Sequence, residues 1–246
     1  MVTRATRRFL TIGIVSILSL GFATPLYGDI STNALTITAT TASGQASYTH
    51  IFDPTLYDPQ TGTYEWIMQG PISLMDGSGH LLATVMGLST HIEGDPLVNV
   101  NFLLQAGHED VQINVLSATV SFDTMDPAEG VFSAQIGGTD MNGNGITING
   151  TTGAGRIWWA SSNDQTFAII VDSQSAGPWG STAMGQTYPE TGTEPLAVPV
   201  NNMWTEASFV LSAGDLASGT SVYRLTPEPF SITLLLIGSF VVFRRR

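Results

Sequence analysis

Val98-Asn99-Val100-Asn101-Phe102 and Val111-Gln112-Ile113-Asn114-Val115 decide the fold class. Both alternate apolar and polar residues with a period of two, the pattern of a strand with one face in a core and one in water. The alternation predicts that Val98, Val100, Phe102, Val111, Ile113 and Val115 face inward. Outward from this pair, Leu35 to Thr40 and Ile146 to Asn149 repeat the pattern. Further strands are expected at 46–52, 64–68, 81–88, 118–122, 131–136, 156–160, 166–171 and 203–211. Helical spacing is nowhere sustained. Asp76-Gly77, Gly94-Asp95-Pro96, Asn142-Gly143, Asn144-Gly145 and Asn149-Gly150 supply turn signals, the Asn-Gly pairs suiting type I′ hairpins. A hairpin is also expected at Gly107, and 173–200, rich in Gly, Pro, Ser and Thr, reads as a long excursion. Many short strands of this kind predict an all-β fold, a single antiparallel β-sandwich over residues 29–226, with jelly-roll-like and Ig-like topologies both open.

Composition narrows the function. The chain of 246 residues is long enough for a sizeable core, and its 26 glycines and 12 prolines, about 15% of the total, stay below the roughly 25–30% of low-complexity chains. Lysine and cysteine are absent, which removes a disulfide framework, a thiolate metal site and a phosphate loop with its lysine. Six of the eight arginines lie at the two ends, so that residues 29–226 carry Arg156 and Arg224 against 19 acidic residues, a net charge of −17. Such a field repels phosphate backbones and anionic lipid; no nucleic-acid partner is expected.

The ends carry the address. Arg4, Arg7 and Arg8 precede the apolar run from Phe9 to Ala23, after which Pro25 and Gly28 break the pattern. This is the layout of a secretory signal peptide over residues 1–28, cut after Ala23 or Gly28 by signal peptidase once the secretion translocon is engaged. Arg7-Arg8 is followed at once by Phe9, which departs from the twin-arginine pattern. At the other end, Pro227-Glu228-Pro229 is followed by the apolar stretch from Phe230 to Phe243 and by Arg244-Arg245-Arg246. As a helix, 230–243 reaches about 21 Å at 1.5 Å per residue, short of the roughly 30 Å hydrocarbon core. The terminal arginines favour the cytoplasmic side, leaving the acidic body on the far side.

Those three features, in that order at the extreme end, resemble the PEP-CTERM sorting signal of exported proteins in Gram-negative bacteria that make exopolysaccharide. The resemblance assigns the triplet Pro227, Glu228 and Pro229 to recognition by a membrane-embedded exosortase, 230–243 to a short transmembrane helix held transiently in the inner membrane, and Arg244, Arg245 and Arg246 to the basic end. It covers residues 227–246. It implies a protein anchored before processing, then at the cell surface or released. The segment from Pro96 to Gly150 is also similar to bodies of uncharacterised PEP-CTERM proteins, a likeness that brings no activity.

Within the body, Asp140-Met141-Asn142-Gly143-Asn144-Gly145 fits the first half of a calcium loop, with Asp140, Asn142 and Asn144 as oxygen donors. Thr151 stands at the twelfth position, where that loop normally supplies a bidentate Glu; the alternative is an ordinary turn. His91, Glu93 and Asp95 are spaced to share a strand face, but Gly94 and Pro96 should end the strand before the third. His108-Glu109-Asp110 reads as a polar tip. Of five tryptophans, Trp158, Trp159 and Trp179 are candidate sugar-stacking platforms; in Trp158-Trp159 a strand puts one ring in the core and the other outside. H-E-x-x-H and G-x-S-x-G are absent from the sequence, and paired carboxylates of a glycosidase would converge in space rather than along the chain.

Together these features read as an exported, exosortase-sorted, non-catalytic component of the cell surface or of an exopolysaccharide biofilm matrix. A carbohydrate-binding module for extracellular polysaccharide is the alternative, and an exported glycan-active enzyme the second alternative.

Overall fold

A computed structural model describes residues 29–227, so the expected signal peptide and the tail beyond Pro227 lie outside the described residues. In chain order the strands are β1 (Asp29–Ile30), β2 (Asn33–Thr40), β3 (Gln45–Ile51), β4 (Tyr57–Asp58), β5 (Thr63–Ile67) and β6 (Ile72–Met75). Then come β7 (Leu81–Glu93), β8 (Leu97–Ala106), β9 (Val111–Ser117), β10 (Val120–Met125), β11 (Ala128–Thr139), β12 (Ile146–Gly150) and β13 (Arg156–Ser162). The last are β14 (Gln165–Asp172), β15 (Gln174–Ala176), β16 (Ser181–Tyr188), β17 (Glu194–Pro195), β18 (Val200–Leu211) and β19 (Leu216–Pro227). Two 3-10 turns, Pro54–Leu56 and Gly153–Gly155, complete the described residues.

These strands form two antiparallel sheets packed face to face. In one, β18 is bonded to β10 and β9 along one edge and to β13 and β12 along the other; β1 lies beside β10, β2 and then β3 beside β9, β14 beside β13 and β15 beside β12. The other runs β16-β11-β19-β8-β7-β5-β4, with β17 on β11 and β6 on β7. The alternation in β8 and β9 is realised as expected: Val98, Val100, Phe102, Val111, Ile113 and Val115 are buried. Phe102 from one sheet stacks on Trp158 and Phe209 from the other, each at a centroid distance of 5.8 Å. Such aromatic pairs are worth about 0.5–1.5 kcal/mol beyond the burial of their surface.

Two expected features are corrected. Gly107 does not sit in a hairpin, because β8 and β9 lie in different sheets; residues 107–110 arch from one sheet to the other. A Cβ on Gly107 would fall within 3.0 Å of the Leu82 carbonyl oxygen, so the close turn needs a residue without one. The excursion over 173–200 is also partly strand: β16 pairs with β11 from Thr139↔Ser181 to Phe132↔Tyr188.

The sequence also hides β19, which is flanked by β11 and β8 and is central to its sheet. Its inward positions are Ala217, Gly219, Ser221, Tyr223 and Leu225, three of them small, because the rings opposite need the space. A Cβ on Gly219 would lie 2.6 Å from Phe102 Cε1 and 3.1 Å from Trp158 Cζ2.

Candidate functional site

Four sheet-to-sheet arches meet at one end of the sandwich: 107–110, 140–145, 177–180 and 212–215. They are tied by carboxylates and backbone groups. The Ala213 amide donates to Asp110 Oδ1 at 3.0 Å, the Met141 amide to Asp215 Oδ1 at 3.2 Å, and the Gly214 amide to the Gly107 carbonyl at 2.7 Å. The hub is Asp140, buried at 2% exposure. Its Oδ1 accepts from the amides of Asn142 (3.1 Å) and Gly143 (2.9 Å), its Oδ2 from those of Gly145 (3.0 Å) and Trp179 (2.6 Å). Burial alone would raise its pKa, but the four N–H groups outweigh that and bring it down to about 2.

Each oxygen of Asp140 therefore faces two N–H donors. Asn142 donates its side-chain amide to the Ala213 carbonyl at 2.7 Å, and its Oδ1 accepts from the Asn144 amide at 3.1 Å. Both exposed asparagines stay at negative φ while Gly143 and Gly145 are left-handed, so these pairs are not type I′ turns. Asn149-Gly150 closes β12 instead of turning. The positive-φ pair that a type I′ hairpin requires is Asn163-Asp164, between β13 and β14.

Trp179 stands on this hub. It is 73% exposed, and its backbone sits at a φ of 57°, a left-handed conformation that a bulky residue adopts only when its surroundings impose it. Asp140 supplies that constraint through the Trp179 amide. The ring lies against Gly143, where a Cβ would come within 2.9 Å of the indole Nε1.

The Trp158-Trp159 pair divides as strand geometry requires. Trp158 is wholly buried and donates from Nε1 to the Gln135 carbonyl at 3.2 Å, so it offers no surface to a ligand. Trp159 is half-buried on the outer face, edge-on to Trp204 at 4.7 Å, and its Cα partners are Glu206 and Ile169. It lines a cavity of about 330 Å³ with Thr151, Thr152, Ile169, Glu206 and Ser208. Glu206 accepts a hydrogen bond from the Asn114 side-chain amide, and burial pushes its pKa up despite that donor. Sequence reasoning missed Glu206. The available signal was an acidic residue in mid-strand, between Met203-Trp204 on one side and the mostly apolar run from Ala207 to Leu211 on the other.

The histidines take local roles. His91 Nε2 lies 3.0 Å from Glu93 Oε1 at the end of β7, whereas Asp95 beyond the strand approaches Arg224 at 3.9 Å. His80 caps onto Asp76, and His50 meets the Tyr64 hydroxyl at 2.7 Å while stacking on Trp66 at 3.8 Å. His108, Glu109 and Asp110 form the exposed tip of their arch. Among the described residues no cluster of three or more His, Asp or Glu could hold a metal. Of the sorting residues, Pro227 ends β19, while Glu228, Pro229, Arg244, Arg245 and Arg246 lie outside the described residues. No family model matches the chain, and no curated protein is significantly similar to it.

Proposed function

We propose that this chain is an exported, exosortase-sorted, non-catalytic component of the cell surface or extracellular matrix. The observation that supports this most is the exposed position of Pro227, the first residue of the triplet. Leu225 is buried in the core, whereas Pro227, two residues further along β19 and paired with Ala128, is exposed. An exposed Pro227 leaves the start of the triplet open to a processing enzyme without opening the core. The −17 charge of residues 29–226 suits a body that stays hydrated outside the cell.

The second reading is a module that binds matrix polysaccharide. It is favoured by the exposed, anchored Trp179 and by the cavity beside Trp159. That cavity holds one carboxylate, and glycoside hydrolysis by the usual route needs a facing pair, so it suits binding better than cleavage.

The test of the first reading is processing in a host that has the sorting enzyme. Deleting 230–246, or replacing Pro227, Glu228 and Pro229 with alanine, should each change the mature mass and the cellular location. If both alterations leave mass and location as they were, the tail is not a sorting signal.

A further inference from the structure

We infer that the cavity between Trp159 and Glu206 is a binding site for a neutral, hydroxyl-rich sugar ring, an inference that rests on the polysaccharide-binding reading and gives it an address. The cavity, about 330 Å³, lies at the small end of the roughly 300–1,000 Å³ range of small-molecule sites, the size for one or two rings of a chain that continues into solvent.

The chemistry of its walls is two-sided. Trp159 and Ile169, partners across β13 and β14, provide a flat apolar wall, and Trp204 packs against the Trp159 ring edge-on. Opposite in chemistry are Glu206 and the hydroxyls of Thr151 and Ser208, which lie 2.7 Å apart. A pyranose has the matching division: an apolar C–H face for the indole, and a rim of hydroxyls for the acceptor.

Glu206 is the group that asks for a ligand. An ionised carboxylate offers about four acceptor positions, and Asn114 is its hydrogen-bond donor among the described residues. A half-buried carboxylate facing an open cavity with acceptor capacity left over can accept from further donors, and sugar hydroxyls are such donors. The same carboxylate, within a body of charge −17, turns away phosphate, sulfate and uronate. A lone carboxylate is a poor divalent site. A cationic amine would be held best with aromatic rings on several sides, whereas Trp159 is the one aromatic residue lining the cavity.

The experiment is calorimetric titration of the protein, purified from an exporting host, with cellohexaose, laminarihexaose, mannohexaose, hexagalacturonate and tetramethylammonium. At least one neutral hexaose should bind, and the last two should not. Trp159→Ala and the near-isosteric Glu206→Gln should each weaken that binding about tenfold or more, while Trp179→Ala leaves it within about twofold. Circular dichroism and the thermal midpoint check that each variant folds; if Trp159→Ala does not, Glu206→Gln decides alone. No binding of any neutral hexaose overturns the polysaccharide-binding reading and the site with it. Neutral binding that survives Glu206→Gln but is lost in Trp179→Ala keeps the reading and overturns this site in favour of the arch end. Binding of tetramethylammonium or hexagalacturonate in preference to the neutral sugars overturns the ligand class.

Discussion

Gly219→Ala should destabilise the protein even though alanine is the better strand residue. Glycine inside a strand costs roughly 0.5–1 kcal/mol relative to alanine through its greater freedom when unfolded. That gain is available only if the methyl group fits. In β19 the new Cβ would lie 2.6 Å from Phe102 Cε1 and 3.1 Å from Trp158 Cζ2, and both rings belong to the packed interior. Overpacking of a filled core costs about 1–3 kcal/mol, and contacts this short belong to the upper half of that range, so subtracting the gain leaves a net loss of about 1–2 kcal/mol. For a domain of this size that lowers the melting midpoint by about 2–8 °C. Urea titration, with heat melts as a second probe, measures it. Phe102→Leu should relieve the clash, so the double variant should lose less than the sum of the single losses by about 1 kcal/mol. A neutral or stabilising Gly219→Ala, or strict additivity with Phe102→Leu, would refute the claim that β19 is kept small to seat these rings.

The Asp140 hub gives two further expected outcomes. Its carboxylate has a folded pKa of about 2 against an ordinary value of 3.8, so its stabilising contribution is complete above about pH 4 and is lost as pH falls toward 2. Melting midpoints of the wild type and Asp140→Asn should therefore converge over that interval, and a constant gap would show that the charge does not matter. Because the Asp140 oxygens already face four N–H groups, millimolar calcium and magnesium at equal ionic strength should raise the midpoint equally, by screening the acidic surface. A calcium-specific excess that disappears in Asp140→Ala would restore the calcium loop.

Periodicity is legible when the inward positions are large, as in β8 and β9. It is lost in β19, where the same alternation is written with alanine, glycine and serine, and in β16, whose Ser, Thr and Gly resemble a loop. Links are harder to read than strands. Residues 107–110 and 140–145 look like hairpin turns locally, yet both carry the chain to the opposite sheet, a choice made by strands far away in sequence. The Trp158-Trp159 pair announces one inward and one outward ring, but only packing against Phe102 decides which. Glu206 becomes meaningful beside Trp159, and that adjacency belongs to strand register.

The strand that ends at Pro227 has a mechanical consequence. β19 is bonded along one edge to β11 from Leu216 to Pro227 and along the other to β8 from Leu216 to Arg224. A pull on the tail along the strand axis would load both rows of hydrogen bonds in shear, many at once. At the other end of the described residues the pairing is short: β1 meets β10 only at Asp29↔Ser121 and Ile30↔Val120. Tension applied between Asp29 and Pro227 would thus open β1 before it sheared β19.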